Sequence, residues 1–151
     1  MKLAEALQRR ADLNREIDQL ESRISNNMLV QDGENPNEKP SDLFNELNNK
    51  LDELDDLITR INLTNAVVKA NGKTLTQLIA EKDVLIRKIA VYKTAVYQAS
   101  LNTSRARNTE IKVLPTINVQ SFQKEIDRMS RQLRETDNAI QSTNWTAGLI
   151  E

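Results

Sequence analysis

Two sets of side chains in this sequence have the types and spacing to do chemistry. Arg60, Asn62 and Asn65 close one periodic apolar segment, and Asn144 and Trp145 close another. If both segments are helices in an antiparallel arrangement, a guanidinium, several amides and an indole meet in one pocket. That combination suits a small anion or a peptide carboxylate. The second set is acidic: Glu5 and Asp12 stand one heptad apart, and Asp83 lies beside an apolar seam. Carboxylates alone can hold a hard divalent cation such as Mg2+ or Ca2+. Each set also has a plainer use, which is the preferred one. Asn and Thr cap helices and satisfy loop backbone, and helical carboxylates are mostly solvated or paired with a cation. Arg105, Arg107, Thr109 and Glu110 form a further polar word in a later connection. No residue is assigned a catalytic role.

Composition removes most other chemistry. The 151 residues contain neither cysteine nor histidine, so thiol catalysis, Ser-His pairs and tetrahedral zinc sites lack their parts. Lysine and arginine number 21 against 22 acidic residues, a net charge of −1. A chain that neutralises many phosphates carries a basic excess, so nucleic acid is not an expected partner. MKLAEALQRR is charged and amphipathic, unlike a signal peptide, and no run approaches the ~20 apolar residues of a membrane span. A cytoplasmic protein, with no membrane partner, is expected.

The elements that must position these side chains are helices. Aromatic residues make up 3% of the chain and charged residues 28%, a profile of long amphipathic helices. Leu3, Ala6, Arg10, Leu13, Ile17, Leu20, Ile24 and Asn27 follow 3-4 spacing, until VQDGENPNEKP ends the segment with Gly33 and two prolines. Ser41 can cap a second helix whose stripe is Phe44, Leu47, Leu51, Leu54, Ile58 and Ile61, with a mostly acidic outside. TLTQ, from Thr74, matches a capping box. The third stripe is Leu75, Leu78, Lys82, Leu85, Ile89, Tyr92, Val96 and Ala99. It is widened by Ile79, Val84, Ile86, Ala90, Val91 and Ala95, so this helix is expected to be the most buried, at the centre. Asn118 can cap a fourth, striped by Val119, Phe122, Ile126, Met129, Leu133, Thr136, Ile140 and Thr143.

The fold expected is all-α: one domain over 1–151, with helices at roughly 2–29, 41–66, 74–101 and 118–143. Heptad spacing predicts an antiparallel bundle or coiled-coil-like helical hairpins. One short β-ribbon drawn from AVVKANGKT and EIKVL is admitted at one end, because Asn71-Gly72 is a strong hairpin dipeptide. Arg10, Asn27 and Lys82 sit in seams, where a polar residue either fixes register or reaches water by its stem. The width of the third stripe exceeds what one neighbour covers. Homo-oligomerisation, as a two-fold dimer or a larger ring, is the expectation.

KLAEALQRRADLNREIDQLESRI, VQDGENP, LITRINLTN and AIQSTNW occur in that order. Together they resemble a family of small bacterial proteins of unknown function often labelled septicolysin. The resemblance implies an all-helical, oligomeric, cytoplasmic protein and supplies no activity. The expected function is therefore a homo-oligomeric structural or protein-interaction module whose partners are itself and another protein. The alternative is a divalent-metal or small-ligand binder, an enzyme among the options, using the residues named above; no other cofactor is implied. A membrane-active toxin, which the family label suggests, ranks third.

Overall fold

A computed structural model of the chain describes residues 1–101 and 112–151. Four helices and a two-stranded ribbon occupy the described residues: α1 (Leu3–Asn26), α2 (Pro40–Val67), β1 (Lys69–Ala70), β2 (Lys73–Thr74), α3 (Leu75–Ala99) and α4 (Val119–Thr146). The protein is predominantly all-α, as expected. The chain divides into two compact units, one made of Met1–Val68 with Thr143–Glu151, the other of Lys69–Ser142.

The first unit is an antiparallel helical hairpin. Arg9 pairs with Glu53, Glu16 with Lys50 and Arg23 with Glu46, so the partner number falls as the α1 number rises. The α1 stripe is buried where the 3-4 spacing places it, at Leu3, Ala6, Leu13 and Leu20. Opposite them α2 buries Leu43, Leu57, Ile61 and Thr64. Each leucine so enclosed contributes about 1.5–3 kcal/mol of apolar transfer. The seam of α2 corrects the sequence reading. It runs through positions 43, 47, 50, 54, 57, 61 and 64, while Phe44, Leu51 and Ile58 are 44%, 41% and 37% exposed. Lys50 belongs to this seam because its long stem crosses to Glu16.

The start of α2 also differs from expectation. Pro40, not Ser41, opens the helix, with Lys39 at the cap position; proline at the first helical position gives up an amide that has no intrahelical acceptor. Asn27 ties the preceding connection down. Its amide donates to the Arg23 carbonyl and its oxygen accepts from Glu38 N–H at 2.9 Å, so this seam asparagine serves the connection.

The second unit begins with the ribbon. Lys69 pairs with Thr74 and Ala70 with Lys73, joined by Asn71 (φ 52°) and Gly72 (φ 80°). Two successive positive φ angles are what a tight hairpin turn demands, which is why Asn-Gly occupies it. Both strands come from AVVKANGKT; residues 112–118 add none, and Glu110 and Ile111 lie outside the described residues, as do Arg105, Arg107 and Thr109. Thr74 ends β2 and caps α3: it accepts from Gln77 N–H, and the Gln77 side chain accepts from Thr74 N–H at 2.9 Å. Asn118 accepts from Ser121 N–H at 3.0 Å and so caps α4.

α3 and α4 pack antiparallel around Leu85, Ile89, Ile126 and Met129, with Tyr92, Val96 and Leu133 at the margin. Tyr92 stacks on Phe122 with centroids 5.2 Å apart. Lys82, the polar seam residue, reaches Asp137 on α4 at 2.6 Å. The central, most buried position expected for α3 is not found. Only Leu75, Leu78, Leu85 and Ile89 are buried. The residues that widen its stripe are the exposed ones: Val84 66%, Val91 61%, Ile86 47% and Ile79 37%.

Candidate functional site

Arg60, Asn62, Asn65, Asn144 and Trp145 all belong to the first unit. Arg60 lies near the C-terminal end of α2, and its Nε donates to the Ile150 carbonyl at 2.8 Å. Thr64, one turn on, has no exposed surface. Its hydroxyl donates to the Arg60 carbonyl at 2.7 Å and accepts from Ile150 N–H at 3.0 Å. The segment after α4 is held on its other edge by the start of the chain. Leu3 N–H donates to Ala147, Leu149 N–H donates to Met1, and Lys2 Nζ reaches the Thr146 carbonyl at 2.9 Å.

Arg60 therefore meets a carbonyl of its own chain where the sequence suggested a small anion or peptide carboxylate. Asn144 is buried, Asn65 half-buried, Asn62 exposed, and Trp145 67% exposed. The constellation divides between an internal clasp and an outward-facing indole. Thr64 stands in the sequence with Arg60, Asn62 and Asn65 among the polar residues that end the second helix, with no binding role of its own. Its partner Ile150 carries no sequence signal, because the group recognised is backbone.

The acidic set is occupied locally. Glu5 accepts from Lys2 N–H at 2.7 Å and so caps α1, and Asp12 accepts from Gln8 and Arg15. Asp83 belongs to the second unit. Among the described residues no group of three carboxylates is placed to hold one metal ion.

Several other charged side chains pair across helix seams. Glu16 is held below the usual carboxylate range by its bond from Lys50, aided by Arg9. Glu53 is lowered likewise by Arg9, whose guanidinium donates through Nε and Nη2 at 2.7 and 2.8 Å. In the second unit Lys73 and then Gln132 lower Glu81, and Lys82 lowers Asp137. Glu81, Lys73 and Gln132, with Asn71, Leu78 and Glu135, line a hollow of about 200 Å3. The Lys73–Glu81 pair closes at 2.7 Å and Gln132 donates to Glu81 at 3.0 Å, so these groups satisfy one another.

The outer face of α3 is uncovered in the described residues. At 100° per residue, Ile79, Ala80, Asp83, Val84, Ile86, Arg87, Ala90 and Val91 cover the side away from Leu78, Leu85 and Ile89, and all are exposed. A shallow hollow of about 520 Å3 on this face is lined by Arg87, Ala90, Val91, Thr94 and Ala95. Sequence periodicity found Ile79, Val84, Ile86, Ala90, Val91 and Ala95 and assigned them to the core. Among the described residues no helix is long and apolar enough to cross a membrane.

The sequence model of a family of unknown function (DUF6847) matches residues 10–149. The chain belongs to that family. The crystal structure of a functionally unknown conserved protein from Corynebacterium diphtheriae is similar to it. The two are 31% identical, the match covers 99% of each chain, and the TM-score is 0.86. No curated protein matches the chain. The DUF6847 family thus carries a helical architecture and no assigned activity.

Proposed function

We propose that this member of the DUF6847 family is a self-associating helical module, a structural or interaction protein built on coiled-coil-like packing between copies. The observation that carries the reading is the uncovered apolar face of α3. Val84 and Val91 form one heptad-spaced apolar strip on it and Ile79 and Ile86 another, and all four are more than a third exposed. Phe44, Leu51 and Ile58, at successive heptad positions of α2, add a second open stripe. Isolated apolar side chains on a surface are ordinary, whereas a contiguous face at helical spacing marks an interaction surface. Heptad-spaced apolar residues find their complement most readily on another helix of the same pattern. Light scattering coupled to gel filtration at about 10–100 µM, a range that detects association of about −5.5 to −7 kcal/mol, is expected to give a discrete oligomer. A monomer across that range would remove the reading.

A further inference from the structure

The outer face of α3 is not only apolar; it is self-complementary when turned end for end. Taking residue 85 as a centre, Ile79 and Val91 are equidistant from it, as are Ala80 and Ala90, Asp83 and Arg87, and Val84 and Ile86. All eight are exposed. Residues that match in this way are what a two-fold axis requires, because in an isologous contact residue i meets j and j meets i.

The geometry points to a homodimer in which two copies of α3 pack antiparallel through this face, about a two-fold axis level with residue 85. This rests on the self-association reading above and names its surface and register. Ile79 then packs on the partner's Ala90 and Val91 on the partner's Ala80, while Val84 and Ile86 each lie beside their own copy, on opposite flanks of the axis. Ala80 faces the partner's Ala90, and small residues at facing positions let the two backbones approach closely. Asp83 meets the partner's Arg87 on both sides of the axis, giving two ion pairs. Asp83 and Arg87 have no ion-pair partner among the described residues, whereas Lys82 on the buried side of the same helix is paired with Asp137.

Charge complementarity selects a second α3 over the open stripe of α2. That stripe is bordered by Asp52, Asp55 and Asp56; two copies of it would set like charges together. An α3 pressed instead on the acidic α2 of another copy would use Arg87 and find Asp83 repulsive. The two arrangements therefore predict opposite effects of changing Asp83.

Sedimentation equilibrium on the full chain and on Asp83→Arg, Arg87→Asp and the double exchange reads these alternatives, with circular dichroism confirming helix content. Each single exchange sets two like-charged pairs across the axis and is expected to weaken the dimer at least about tenfold. The double exchange is expected to return it to within a few-fold of the parent. Oligomers indifferent to the single exchanges, or not rescued by the double, would overturn the register while leaving self-association standing. Tighter association of Asp83→Arg would overturn it in favour of the acidic α2 surface. A monomeric parent would remove both readings. The chain has no cysteine, so a second measurement is clean. A mixture of Ala80→Cys and Ala90→Cys chains is expected to form a disulfide heterodimer under mild oxidation. Neither variant alone should cross-link, because ten residues separate equal positions by about 15 Å and a disulfide spans less than ~7 Å. Cross-linking of either variant alone would show parallel packing and overturn the proposal.

Discussion

Thr64 shows what one side chain can hold when it has no contact with water. Its hydroxyl satisfies a carbonyl one turn back in α2 and an amide 86 residues away, at Ile150, while Arg60 secures the carbonyl of the same residue. Replacing Thr64 by valine keeps the shape and leaves the Ile150 N–H without its acceptor. The expected loss is about 1–3 kcal/mol of unfolding free energy, read by chemical denaturation, together with faster hydrogen exchange at the Ile150 amide. Thr64→Ser should retain most of both, and a valine variant as protected as the parent would show that the clasp carries no load. At this scale the sequence was half legible. Arg60 and its amide-rich neighbours stood out as a polar cluster, and the structure puts them in one unit with Asn144. What the arginine would bind did not stand out, since a backbone carbonyl is common to every residue and only long-range folding selects one.

Helix boundaries were legible because capping and turn chemistry are local. Thr74 with Gln77, Asn118 before Val119, and Asn71-Gly72 each act within four residues, so no knowledge of the rest of the chain is needed. The buried face of a helix is a different matter. α2 has two apolar stripes about 100° apart, and α3 has apolar residues on opposite sides; periodicity registers both and cannot say which one meets a neighbour. On α1 and α4 a single stripe left no choice, and their buried residues follow it. In α2 the buried line runs through positions 43, 57 and 61, and Lys50 in that line pairs with Glu16 across the seam. The consequence is testable in one helix. Leu57→Ala should cost about 2–5 kcal/mol, the range for deleting a core leucine. Leu51→Ala, at 41% exposure, should cost under about 1 kcal/mol. Equal losses in thermal or urea melts of the two variants would restore the stripe that the sequence suggested.

Across the whole molecule, the pairing of Lys2 with Gly148 was not foreseen, because it joins stretches with no matching pattern. The charge balance was plain from composition, and it sets how the protein answers to pH. Glu16, Glu38 and Glu53 in the first unit, and Glu81 and Asp137 in the second, are each held below their ordinary range by a donated hydrogen bond from Lys or Arg. A carboxylate lowered in the folded state contributes its full stabilisation above the unfolded value, about 4.3 for glutamate and 3.9 for aspartate. That contribution disappears as pH falls through the folded value. The thermal midpoint should therefore change little between pH 6 and 8, where no histidine titrates, and decline as the pH is taken from about 5 to 3. Glu53 and Glu38 are 47% and 39% exposed, so each pair contributes modestly and is screened by salt. The acid decline should accordingly be shallower in about 1 M salt, where the Debye length is near 3 Å. In the variant Arg9→Met, which leaves Glu53 without its main donor and Glu16 with only Lys50, the decline should be shallower than in the parent at the same salt. An acid profile identical in parent and variant would assign the pH response to groups other than the seam carboxylates.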